Sequence, residues 1–479
     1  MIHFAPIDHL LIGLYFAVVV VIGLQSSRRP HSGDAVEILL AGRSLTLPVF
    51  VMTLVSTWYG GILGVGEFSY RYGISNWFLQ GAPYYIFAAV FALVLAPRVR
   101  AGAFVTIPDK LHDAYGRRAG LLGALLTFLL MSPAPSVLML AVLLQLVTGW
   151  SLVVCLVTGT AAAAGYLLAG GFRSDVQTDI LEFFLMFLGF AVILPFAYDR
   201  YGGMDFLAAH LPPLHLTWHG GNSTQFIAVW FLIALWTLVD PAFHQRCAAA
   251  RSGAVARNGI LVSILFWFLF DAMTATAGLY ARVILPALDQ PVMAYPLLAE
   301  EILPAGVKGI FFIGMLATIM STLNTLVFVG GTTLGRDLLG RWRGGAGVED
   351  VSGVSGPVER RRTRIGIVVT AALSVLVALL IPSVIKLWYT IGTTVVPGLL
   401  VPLVTGYFPG LRTRGGTALA AMVSGWGIST AWLLAGWSEQ LGATEQYPLG
   451  IEPMMPGLAV SIIVWLAGFV QERRRIRKA

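Results

Sequence analysis

Residues 45–73 read LTLPVFVMTLVSTWYGGILGVGEFSYRYG. The run is long and apolar enough to cross a bilayer, yet its middle carries Gly60, Gly61, Gly64 and Gly66. Each glycine costs a helix about 1 kcal/mol relative to alanine. In lipid, an unwound backbone survives only where it lines a protein cavity, because every unpaired N–H or C=O costs several kcal/mol. The stretch therefore reads as two half-helices joined by an irregular segment whose carbonyls can hold an ion or a solute. Glycines also serve close packing in uninterrupted spans, so the break is an expectation to be tested against the fold.

The rest of the 479-residue chain supplies the setting. It is 57% hydrophobic and 11% charged, with a mean hydropathy of +0.80. That composition describes an all-α polytopic membrane protein, with no stretch long enough for a soluble domain. The two cysteines, Cys155 and Cys247, lie in or beside apolar spans and indicate neither a disulfide framework nor a metal site. Thirteen apolar runs have roughly the 20 residues that a bilayer core demands. They lie near 8–27, 45–72, 76–97, 119–147, 150–170, 176–198, 223–245, 258–285, 308–334, 364–382, 384–408, 417–437 and 456–470.

With the N-terminus outside, 26 of the 31 lysines and arginines fall in loops on the inner side or in the basic tail, Arg246 among them. Such an asymmetry fixes orientation, N-terminus outside and C-terminus cytoplasmic, in a cell (inner) membrane. The net charge of +7 is then a matter of topology, and no nucleic-acid partner is expected. The first run is not a cleaved signal peptide: it is too long, and its basic residues follow it.

Local signals mark the path between spans. Thr106 ahead of Pro108 reads as the N-cap of a short surface helix. Pro133 and Pro135 kink the fourth span, and a tight GGFRSD turn separates the fifth from the sixth. The 201–222 outer loop ends on an Asn222-Ser-Thr sequon, and the 340–362 loop is rich in glycine. In the seventh span, TQFIAVWFLIALWTLVDPAFHQRCAAA, Pro241 removes a backbone donor and clashes with the preceding turn, so the helix breaks at Asp240-Pro241. The second and seventh spans open two successive sets of five. Interrupted spans at matching places in two halves point to a transporter built from inverted repeats with a midplane site.

Four stretches carry a resemblance: ILLAGRSLTLPVFVMTLVST (38–57), GGFRSDVQTDI (170–180), HQRCAAARSGAVAR (244–257) and ATIMSTLNTLVFVGGTTLGRDLL (317–339). In order, spacing and topology the chain resembles the sodium:solute symporter family, which includes sodium-coupled sugar, proline and pantothenate carriers. The resemblance implies a LeuT-type fold of five plus five inverted repeats. The peripheral span would be 8–27, the first repeat 45–198, the second 223–408, and two extra spans 417–470, all in one transporter domain.

Candidate residues follow from both readings. Thr318, Ser321 and Thr322 stand at i, i+3 and i+4 on one helix face, where they either supply hard oxygen ligands for a cation or bond back to their own helix. The resemblance implies a sodium site made by the hydroxyls of Ser321 and Thr322 and the carbonyls of Thr318, Leu54 and Thr57. Asp179, an ionisable residue at membrane depth, would sit beside that site near the ion's exit route. It could equally be a helix-terminal carboxylate held by the dipole. Glu182 shares its face, and two carboxylates so close resist being charged together.

Asp240 reads as a cap for the second half-helix, or as a solute contact by resemblance; the family often has glutamine where Pro241 stands. Ser56, Trp58, Tyr59 and Gly61 belong to the irregular region where solute would lie, with plain packing the alternative for its aromatic residues. Glu67 either joins them or pairs with Arg71 one turn later. Asp271 and Thr274 reach similar depth without an assigned role. No Lys or Arg is expected deep in the core, which favours a neutral or zwitterionic solute such as a sugar, polyol or amino-acid-like compound.

The expected function is therefore sodium-coupled symport of a small polar organic solute by alternating access. Sodium is the co-transported ion, and no obligate protein partner is evident beyond the lipid bilayer. A proton-coupled carrier of the same fold is the alternative, with Asp179, Glu182 and Asp240 as proton carriers. A membrane sensor domain is disfavoured because the sequence ends at ERRRIRKA, and a channel because mid-span breaks suit a closed site. No catalytic motif such as HExxH or a nucleophile elbow is present, so no enzyme is expected.

Overall fold

The computed structural model describes residues 2–27, 35–102, 104–340, 356–381, 383–437 and 446–478, and they are almost wholly helical. Eleven helices among them are long and apolar enough to cross a membrane, or twelve when a bent pair is counted as one span. The expected thirteen are not reached by that measure. The fifth, near 150–170, is the shorter apolar helix Leu152–Leu168, and in place of a full turn it gives way to the next span at a kink on Gly171. Gly171 has φ 61°, a value that glycine tolerates and a side chain does not. Most of the Gly-rich 340–362 loop, together with Arg28, Arg29, Arg341 and Arg343, lies outside the described residues.

The bent pair is Leu47–Trp58 and Ile62–Tyr72, which meet at 60°. Neither Tyr59 nor Gly61, on either side of the gap, has a positive φ, so the glycines here answer to their neighbours rather than to backbone strain. A Cβ on Gly60 would lie 2.1 Å from the Cβ of Thr322, and one on Gly61 would lie 1.9 Å from the Trp388 ring. The seventh span is also interrupted. Thr224–Ile233 and Trp236–Val239 lead to an extended Asp240, and Pro241–Ala249 starts afresh. Pro241 opens the second half at a position whose N–H has no helical partner in any case.

The fourth span stops at Leu130 and resumes at Ala134, as its prolines require. Thr106 does cap Ile107–Tyr115, in a reciprocal capping box with Asp109. That helix is not a surface helix, however: Ile107, Pro108, Asp109, Lys110 and Leu111 are buried. Arg336 draws it inward, with Nη1 3.1 Å from Asp109 Oδ1.

At the centre stands Val307–Thr332, apolar on all sides and buried along most of its length. It packs on Gly170–Tyr201, where Gly314 and Gly189 bring the backbones so close that a Cβ on Gly189 would meet the Gly314 Cα at 2.7 Å. Small residues permit such an approach where no hydrophobic drive exists between helices in lipid. The first helix, Pro6–Ser27, is only 28% buried and lies at the periphery. It reaches the core through Tyr15, whose hydroxyl donates to Glu182.

Candidate functional site

The half-helix Leu47–Trp58 ends against the middle of Val307–Thr332. Its last carbonyls have no helical partner, and one of them finds a side chain instead: Thr322 Oγ1 donates to the Thr57 carbonyl oxygen. One residue earlier, Ser321 Oγ donates to Asp179 Oδ1 at 2.5 Å. The Thr318 hydroxyl turns back to the Met315 carbonyl at 2.6 Å, which leaves its backbone oxygen as the group facing Thr322. Thr57, Thr318, Ser321 and Thr322 are thus brought together across the gap, and Leu54 lines the cavity beside them. Ser56 is directed elsewhere, with its Oγ bonded to the Met52 carbonyl at 2.9 Å.

The expectation that no arginine lies deep in the core is overturned. Arg246 is fully buried, with Nη2 2.5 Å from Thr57 Oγ1, 2.9 Å from Thr325 Oγ1 and 3.0 Å from Asp179 Oδ2. Asp175 Oδ2 stands 3.5 Å from the same nitrogen. The reason is the second half of the seventh span, which continues to Ala249 and carries Arg246 inward rather than ending in a loop. Asp175, Asp179 and Glu182 occupy one face of Gly170–Tyr201, at i, i+4 and i+7. All three are buried. Glu182 Oε1 accepts from Tyr15 at 3.1 Å, while its Oε2 has no hydrogen-bond partner among the described residues.

A cavity of about 190 Å³ opens where the two interrupted spans meet. Trp58, Tyr59, Gly61 and Asp240 line it, as does Thr322 from the cage. Glu67 does not line it; Arg71 Nε holds its Oε1 at 2.9 Å, the pairing its i, i+4 spacing allows. Asp240 is both a cap and a wall. Its Oδ1 accepts from Ala242 N at 2.8 Å and Phe243 N at 3.0 Å.

Other walls were not anticipated. Trp230 and Trp236 come from the first part of the seventh span, Tyr84 and Tyr85 from the third, and Trp388 from the span Val384–Gly406. Asp271, singled out for its depth but left without a role, lines the cavity too and accepts a hydrogen bond from the Tyr85 hydroxyl. No Lys, Arg or His is among the lining residues described.

The comparisons agree with this architecture. The model of the sodium:solute symporter family matches residues 38–425. The sodium/pantothenate symporter of Escherichia coli is 26% identical over 478 residues, covering 95% of this chain and 94% of that one. The high-affinity choline transporter 1 of Drosophila melanogaster is 25% identical over 403 residues, covering 78% of this chain. This chain spans about 62% of the length of that relative. A solved structure of a sodium-coupled sialic acid symporter, in a substrate-bound outward-open state, superposes with a TM-score of 0.78 at 15% identity. It covers 98% of each chain, and the shared fold is the LeuT-type arrangement.

Proposed function

The chain belongs to the sodium:solute symporter family, and from that premise we propose that it moves a small polar organic solute across the cell membrane together with sodium. The N-terminus lies outside and the C-terminus in the cytoplasm. Residues 45–198 and 223–408 are the two repeats that rock against each other. Its relatives are transporters rather than enzymes. Sodium is held by the carbonyls of Leu54, Thr57 and Thr318 and by the hydroxyls of Ser321 and Thr322. These are uncharged hard oxygens of the kind that suit a hard cation, and Asp179 attracts the ion from beside them. The solute, of the sugar, polyol or amino-acid-like size class, occupies the cavity that Thr57 and Thr322 share with the cage.

The observation that carries this reading is the bond from Thr322 Oγ1 to the Thr57 carbonyl across the helix break. Both are uncharged hard oxygens, and their closeness across the break is what a small cation shared between them requires. The test is solute accumulation in proteoliposomes under an imposed sodium gradient. Ser321→Ala and Thr322→Val are each expected to raise the sodium concentration for half-maximal uptake by about tenfold, the equivalent of ~1.4 kcal/mol. Accumulation that is unaffected by replacing sodium with potassium would sink the proposal.

A second reading, proton coupling, has one observation in its favour. Three buried carboxylates on one helix face have a single buried guanidinium beside them, and Glu182 lies beyond its reach among the described contacts. Uptake driven by a pH gradient in sodium-free vesicles, and lost in Glu182→Gln, would select that reading.

A further inference from the structure

We infer that the solute is a small organic cation with an N-methylated ammonium group, held in an aromatic cage whose negative charge comes from Asp240 and Asp271. The inference rests on the transport reading above and deepens it at the same cavity. It departs from the neutral or zwitterionic solute that the sequence favours.

The argument begins with the two carboxylates. Asp240 Oδ1 accepts two backbone N–H groups at the start of Pro241–Ala249. Asp271 accepts from the Tyr85 hydroxyl. Hydrogen-bond donors at each carboxylate favour its ionised form and burial opposes it, so a cation beside them is what holds both charged. Yet neither carboxylate has an ion-pair partner among the described residues: the guanidinium of Arg246 goes to Asp175 and Asp179 instead. Two carboxylates thus face a largely apolar cavity with no fixed cation on its wall, and a charged side chain buried without a counter-ion is costly. A mobile cation completes the site.

The rest of the wall says which kind of cation. Trp58, Trp230, Trp236 and Trp388 all present indoles to the cavity, and an indole face is the strongest neutral partner for a cation. The Trp388 ring is seated directly over the break because Gly61 and Gly64 carry no Cβ to displace it. A primary ammonium would need an acceptor for each of three N–H bonds, and here one oxygen of each carboxylate is already taken. A methylated ammonium spreads its charge over apolar methyl groups and needs rings instead, which this wall has in number. The same wall repels a carboxylate solute, because no lysine or arginine lines it.

The test uses the purified full chain in detergent and in proteoliposomes, with choline and tetramethylammonium as probes. The control is 3,3-dimethyl-1-butanol, the uncharged carbon isostere of choline. In sodium, choline or tetramethylammonium is expected to raise the thermal midpoint and to drive saturable uptake or competition, and the isostere is not. Asp271→Asn is expected to weaken the ammonium probe at least tenfold while leaving stabilisation by sodium alone intact, which shows that the variant is folded.

If sodium stabilises the protein but the ammonium probes act no better than the isostere, or if a sugar or polyol is the ligand that sodium promotes, the cation inference fails and the symport reading stands. If an ammonium probe binds equally well with and without sodium, the cage stands and sodium coupling fails.

Discussion

Asp179 is held from two sides. Ser321 donates to Oδ1 and Arg246 to Oδ2, so the carboxylate expected to attract sodium already has a fixed positive charge. This explains how an acidic pair, Asp175 and Asp179, is tolerated at membrane depth, where an unpaired charge is expensive. Arg246 is therefore as much part of the proposed ion site's electrostatics as any of the proposed ligands. Its removal leaves two buried carboxylates facing only hydroxyls. Arg246→Met is expected to cost about 3–5 kcal/mol, the usual consequence of deleting one member of a buried pair. The loss would be read as a lower thermal midpoint in sodium. Adding Asp175→Asn and Asp179→Asn to the same chain removes the stranded charge and should restore most of the midpoint. A triple variant no more stable than Arg246→Met would refute this account.

At the scale of elements, the two interruptions do the positioning. Gly60 lets Thr322 reach the Thr57 carbonyl because no side chain at the break after Leu47–Trp58 stands in its way. A methyl group there would have to share space with a threonine Cβ 2.1 Å away. Thr322 is β-branched, with few rotamers to escape into, and its helix is packed on most sides. Gly60→Ala is thus expected to open the cage, with an overpacking cost of about 1–3 kcal/mol that appears as at least a tenfold rise in the half-saturating sodium concentration. Gly427→Ala is the control: it has no neighbour within 4 Å of the added carbon and should transport normally. Equal kinetics in the two variants would mean that the close approach at Gly60 is irrelevant to the ion.

These interruptions were legible in the chain because glycine clusters and Asp-Pro act locally, as does the i, i+3, i+4 spacing of the facing hydroxyls. Trp58, Tyr59, Gly61 and Asp240 were legible in the same way and line the cavity; the rest of its wall was not. Trp230, Trp388 and Asp271 meet only because three distant spans turn particular faces inward, and a uniformly apolar run does not record its own rotation. Arg246 escaped for a related reason: a cation at the end of an apolar run reads as an interfacial anchor, and only the break before it sends the half-helix inward. The count of thirteen is left unconfirmed at the fifth span, the shorter apolar helix Leu152–Leu168, which meets the next at the kink on Gly171.

For the molecule as a whole, the consequence lies in the shared wall. Leu54, Thr57 and Thr322 border the solute cavity and are also the oxygens, or carry the backbone oxygens, proposed for sodium. Leu54 and Thr57 lie on a broken half-helix and Thr322 on the central helix, so both ligands would fasten the same two elements to each other. A ligand shifts a conformational equilibrium only by its differential affinity for the two states. Two ligands that favour the same joined state therefore strengthen each other, and by the same factor in both directions. We expect saturating sodium to raise solute affinity by between about 5- and 150-fold, and saturating solute to raise sodium affinity equally. Both can be measured by titrating the intrinsic fluorescence of the cavity tryptophans with whichever solute stabilises the protein. Ser321 touches Asp179 and is absent from the cavity lining, so Ser321→Ala should leave sodium-free solute affinity unchanged and reduce the factor toward one. A wild-type protein whose solute affinity is the same with and without sodium would sever the two sites, however well each is formed.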